Sequence, residues 1–161
     1  MRSRRTFGSL VRFGVLGLFA IALPVAVNAQ GDPSIGTWKL NVEKSKFSPG
    51  PPPKSNMVTI EAKGDQTHVT VKGVSATGSP TSSDYSYRFD GKDYPVTGSA
   101  DYDTMSLTRK ANVIEGVRKK DGKVVQNYKR VISPDGKTMT VTTSGTNAQG
   151  KFNNVAVYEK Q

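Results

Sequence analysis

From Gln30 to the C-terminus, β-branched and aromatic residues alternate with polar ones in short runs broken by Gly, Pro, Asn and Asp, and no window carries a 3.6-residue period. Successive side chains of a strand point to opposite faces, so each run buries one face and wets the other. The first run, Ile35–Val42, holds the only tryptophan and puts Trp38, Leu40 and Val42 on one side. Met57–Lys63 and His68–Lys72 follow as a hairpin around Gly64-Asp65. Tyr85, Tyr87 and Phe89 then share a face, and Tyr94–Val96 is a short strand whose Pro95 marks an edge or a bulge. Met105, Leu107 and Arg109 face one way, whereas Val113–Lys120 shows no clean alternation. In Lys123–Ile132 the residues Val124, Gln126, Tyr128, Arg130 and Ile132 line up together, and Met139–Thr143 and Phe152–Lys160 close the chain.

Asp-Gly-Lys recurs at 90–92, 121–123 and 135–137, each time between two runs. Asp tolerates the turn conformation and Gly takes positive φ without steric cost, so these are hairpin devices. Ser45–Asn56, rich in proline, cannot be a central strand and reads as an extended connection. The result is an all-β, antiparallel, up-and-down meander of about ten strands, which removes its exposed edges by closing into a barrel. A two-sheet β-sandwich is the alternative.

Residues 1–29 read as a cleaved export signal: Arg2, Arg4, Arg5 and Arg12 give a positive start, Val15–Val27 an apolar stretch, and Ala26–Ala29 a small-residue cleavage site. The apolar stretch is too short to span a bilayer, which takes about 20 such residues. Ser3-Arg4-Arg5-Thr6-Phe7 resembles a twin-arginine export motif, with Gly8 and Ser9 where that family has Leu and Lys; an ordinary basic leader is the other reading. Residues 30–161 then form a single domain, exported to the periplasm or the exterior. Loss of the four leader arginines lowers the net charge from +10 to +6. The remaining cations are scattered, which argues against nucleic acid and only weakly for an anionic partner. With no cysteine, disulfides, thiolate metal sites and a cysteine nucleophile are all excluded.

Gly36-Thr37-Trp38-Lys39-Leu40 resembles the opening strand of the lipocalin and fatty-acid-binding-protein group, whose barrels begin with Gly-x-Trp. Val157-Tyr158-Glu159-Lys160 resembles the last strand of fatty-acid-binding proteins, and barrel closure would bring the two ends together. The resemblance implies a ligand-binding barrel with Trp38 sealing its closed end against a basic side chain, a part open to Lys160. Two departures stand out. The family's arginine two residues before the closing tyrosine is Ala156 here, and its two helices after the first strand are replaced by SKFSPGPPPKSN.

Among residues with chemistry to offer, Arg109 and Arg130 share strand faces with apolar or aromatic residues. A buried guanidinium needs anionic or hydrogen-bonding partners. Both are therefore candidates to hold an anionic ligand head, with Tyr85, Tyr87 and Tyr128 adding hydroxyls and ring surface. The alternative is that they reach out at a barrel mouth or satisfy structural carbonyls. His68, the only histidine, sits on a polar face with no metal or triad motif around it. Asp101 and Asp103 read as a solvated loop rather than a calcium site. No catalytic set, metal or cofactor is expected. The expected function is non-catalytic binding of a small, largely apolar ligand, with an anionic head as one form of it. The alternative is an interaction module with a filled barrel that presents loops 45–56 and 98–103 to an envelope protein.

Overall fold

The computed structural model describes residues 31–147 and 150–161; the leader read over 1–29 lies outside them. The described residues form ten strands: β1 (Gly36–Ser48), β2 (Ser55–Lys63), β3 (Gln66–Val74), β4 (Pro80–Tyr87), β5 (Tyr94–Thr97), β6 (Thr104–Lys110), β7 (Val113–Lys120), β8 (Lys123–Ile132), β9 (Thr138–Asn147) and β10 (Gly150–Lys160). Each pairs antiparallel with the next and β10 returns to β1, so the meander closes into a barrel and the sandwich is ruled out. Among these residues no helix is long and apolar enough to cross a membrane.

Closure joins the two ends that the sequence marks out, with Trp38 opposite Lys160 and Leu40 opposite Tyr158. The register then slips, since Asn41 faces Val157 but Lys46 faces Val155. Ser45 fastens the resulting bulge: its hydroxyl donates to the Asn41 carbonyl (2.6 Å) and accepts the Val157 N–H (2.9 Å). The bulge carries β1 on to Ser48, so only residues 49–54 bridge to β2 where a longer connection from Ser45 was expected. Pro95, expected at an edge or a bulge, lies at neither: β5 is only four residues long but pairs two residues with each neighbour inside the closed barrel, with Pro95 opposite Thr104.

The strands run between a closed end and a mouth. At the closed end Trp38, Ile60, Tyr87, Leu107, Ile132 and Met139 are almost fully buried. The segment leading into β1 caps them. Trp38 Nε1 donates to the Ser34 carbonyl (2.8 Å), and the Lys160 ammonium lies 5.1 Å from the tryptophan ring centre while donating to the Pro33 carbonyl (3.0 Å).

Asp32 completes the cap. Its carboxylate accepts the Ser34 backbone N–H (2.9 Å), the Ser34 hydroxyl (2.7 Å) and both terminal nitrogens of Arg109, Nη2 at 2.9 Å. Burial opposes the carboxylate charge, but the bonds from Arg109 and Ser34 outweigh it and pull its pKa from 3.8 to about 2. A lowered carboxylate pKa adds stability above the unfolded-state value that disappears as pH falls through the folded one, here about 2 kcal/mol. Asp32→Asn is therefore expected to lie about 2 kcal/mol below the parent in urea unfolding at neutral pH, and the gap should close as pH drops from about 4 toward 2. A gap unchanged across that range would remove the ion pair from the stability of the cap.

Candidate ligand-binding site

β8 supplies the inner wall through strict alternation: Gln126, Tyr128, Arg130 and Ile132 are buried while the residues between them are more open. Val124, expected on the same face, is instead exposed, because the register slips where Arg118 pairs with Gln126 but Lys119 pairs with Val124. β4 contributes Tyr85 and Tyr87, and β10 contributes Ala156 and Tyr158. β7 hides its pattern because its inward positions are Ile114, Gly116 and Arg118, of which one has no side chain and one is charged. Gly116 is required there, since a Cβ would stand 1.9 Å from the Ser106 carbonyl oxygen.

Of these, Tyr85, Arg118, Tyr128, Arg130, Ala156 and Tyr158 line an inner cavity of about 180 Å³ that adjoins a cup of about 750 Å³ at the mouth. The throat between the two spaces is bordered by Asn56, Tyr102 and Arg118 together with Phe47, Val71, Ser83, Thr143 and Asn154. Tyr102 comes from the β5–β6 loop. The Arg118 guanidinium lies between two rings, with Cζ 4.4 Å from the centre of Tyr102 and 4.6 Å from that of Tyr128, and its Nη1 donates to Gln126 Oε1 (3.2 Å).

Arg130 lies deeper and is 2% exposed. Its Nη2 donates to the Tyr87 hydroxyl (2.9 Å), and Tyr87 packs edge-on against Phe89. Burial works against the Arg130 charge, yet the hydroxyls of Tyr128, Tyr87 and Tyr85 outweigh it and hold its pKa above the ordinary guanidinium value. Burial likewise opposes the charge on Arg118, and Tyr102, Tyr85, Tyr128 and Tyr158 more than offset it. Burial itself pushes the hydroxyls of Tyr85, Tyr87 and Tyr158 above the usual phenol range, so all three are neutral donors.

Neither cation has an acid. None of the ion pairs among the described residues includes Arg118 or Arg130. Among the described residues, three buried side-chain atoms have no hydrogen-bond partner, namely Asn56 Oδ1, Arg118 Nε and Arg130 Nε, and all three belong to residues on the inner cavity wall. Leaving such groups unpaired costs about 1–3 kcal/mol each.

Of the residues singled out in the sequence, Arg130, Tyr85 and Tyr128 line this cavity and Tyr87 stands behind Arg130. Arg109 does not join them. It is spent at the closed end on Asp32, on the Ala111 carbonyl (3.1 Å) and over the Phe89 ring (5.4 Å), which corrects its reading as a ligand contact. Trp38 is likewise at the closed end and clear of the cavity. Arg118, Tyr102, Tyr158 and Asn56 are additions; of these only Tyr158 had a sequence signal, as part of the closing strand. His68 is on the outer wall, where Nδ1 meets the Ser86 hydroxyl (2.9 Å) and Nε2 lies 3.3 Å from Asp84. That row of three side chains borders neither cavity.

The barrel aligns with fatty-acid-binding protein 1 of Echinococcus granulosus at 13% identity and a TM-score of 0.53, covering 80% of this chain and 97% of that one. This is the fold of the fatty-acid-binding proteins. The zebrafish ileal bile acid-binding protein, solved with cholic acid, aligns at 13% identity over 81% of this chain and all of that one, with a TM-score of 0.52. The fatty-acid-binding protein of Manduca sexta aligns at 19% identity over 78% of this chain and 98% of that one, with a TM-score of 0.50. No family model and no curated protein matches the sequence. Against the fatty-acid-binding-protein pattern, the β1–β2 connection carries no helix, and at the arginine position before the closing tyrosine stands Ala156, on the cavity wall. The cations enter from β7 and β8 instead.

Proposed function

We propose that the protein is a non-catalytic carrier, exported to the periplasm or the exterior, that holds a small, largely apolar ligand by an anionic head inside the barrel. The observation that carries this reading is the convergence of three unpartnered polar atoms and two acid-free guanidiniums on one cavity. An anion reaching Arg130 and Arg118 would accept from their two Nε–H groups, whereas Asn56 Oδ1, an acceptor, calls for a donor on the ligand, and the rings of Tyr85, Tyr128 and Tyr158 offer apolar surface to the rest of the molecule. The fold neighbours point the same way, being named for fatty acids and bile acids. The inner wall supplies no carboxylate and no imidazole as a general base, which supports a carrier over an enzyme. An interior with open space favours this reading over an interaction module with a filled barrel.

Calorimetric titration with benzoate and with benzamide, its uncharged isostere, separates charge from shape. Benzoate is expected to bind about tenfold tighter or more, the worth of one hydrogen bond to a charged group. Equal affinities, or no binding of either compound, would overturn the proposal.

A further inference from the structure

The two guanidiniums sit at different depths. Arg118 is paired with Gln126 across the β7–β8 ladder, and Arg130 lies four residues further along β8 toward the closed end. Four residues of strand span about 13 Å, which two long side chains shorten but do not erase. Arg130 reaches the cavity from below, braced by Tyr87, while Arg118 crosses the throat above it, braced by Tyr102 and Tyr128. Each has its own orphaned Nε, and the third orphan, Asn56 Oδ1, is at the throat with Arg118.

An acid with a single carboxylate and a long acyl tail suits this arrangement badly. Its head could neutralise Arg130, but its tail would have to leave through the throat, laying hydrocarbon across the Arg118 guanidinium, which has no acid partner. The inner cavity is also small. Its volume of about 180 Å³ corresponds to about six water molecules at roughly 30 Å³ each, below the roughly 300 Å³ at which drug-sized pockets begin. A body that fills it is compact, and the tyrosine rings around it favour a flat one.

Building on the proposed anion carrier, we infer that its ligand is a compact diacid with two separate anionic groups, one on Arg130 at the base, which Tyr87 braces from behind, and one on Arg118 and Gln126 at the throat. Such a molecule neutralises both guanidiniums at once. The throat arginine is then the residue that selects against long-chain monoacids.

Calorimetric titration of the purified protein with isophthalate, benzoate, decanoate and inorganic phosphate tests this. Isophthalate is expected to bind about tenfold to a hundredfold tighter than benzoate, the worth of a second charge-assisted contact, and tighter than decanoate or phosphate. Arg118→Gln is expected to bring the isophthalate-to-benzoate ratio down to about threefold or less. Equal binding of isophthalate and benzoate, tighter binding of decanoate, or a ratio unchanged in Arg118→Gln would overturn the inference. Phosphate binding as tightly as isophthalate would also overturn it, by showing one anion site rather than two. The four-probe comparison on the parent stands even if the variant does not fold. Benzoate still preferred over benzamide alongside any of these results would leave the anion-carrier function intact and remove only the second acidic group.

Discussion

Replacing Trp38 with alanine is expected to lower the unfolding free energy by about 3 to 5 kcal/mol, the range for truncating a fully buried aromatic side chain. The ring is 0% exposed and is the largest of the fully buried side chains of the closed end. Its removal opens a cavity there, leaves the Ser34 carbonyl without its donor and takes the ring from beneath the Lys160 ammonium. Strands β1, β2 and β10 meet at this residue, since Trp38 is opposite Lys160 on one side and Val58 on the other. The loss should therefore reach barrel closure and not merely local order. Urea unfolding followed by circular dichroism measures it; a loss under about 1 kcal/mol would contradict both the core position and the register of β1.

The second large effect has the opposite sign for stability. Arg130→Met combined with Tyr87→Phe removes a buried cation and the hydroxyl that accepts from it, and leaves apolar groups of similar size in their place. Replacing buried charged groups by well-packed apolar ones typically gains about 1 to 4 kcal/mol, so the double variant is expected to be more stable than the unliganded parent. It is also expected to lose benzoate binding by about a hundredfold, because the buried charge that holds the ligand head is gone. A site kept for binding at the expense of stability predicts both changes together. A double variant that is less stable and still binds would mean that Arg130 is a structural brace.

Much of the fold is written locally in the sequence. Period-two alternation sets the inward faces of β4, β6 and β8, and the Asp-Gly-Lys turns supply the backbone that hairpins need, with φ of 49° at Asp121 and 75° at Gly122. Closure follows because an unpaired edge is costly, and Trp38 with Lys160 marks where it occurs. The same alternation delivers Tyr85, Tyr128 and Arg130 to the cavity. Arg109 follows the pattern too, on the side of Met105 and Leu107, but its fate depends on Asp32, which is 77 residues away and brought to it only by the cap. Nothing in the spacing of either residue encodes that pairing.

Arg118 escapes for a different reason. Its strand carries glycine at the inward position where alternation would show, because Gly116 must lie against the Ser106 carbonyl. Tyr102 belongs to a loop, where no periodicity applies. The throat of the site is thus built largely from a strand whose pattern packing has erased and a loop that never had one, whereas its base is built from the part of β8 that alternates without a break, Gln126 to Ile132.

The most direct test of an anion-holding interior is native mass spectrometry of the protein purified without denaturation from its own host. A discrete additional mass matching a small acid is predicted on the parent and not on the Arg130→Met, Tyr87→Phe double variant. A bare chain in both, still bare after incubation with the host's organic-acid extract, would contradict it.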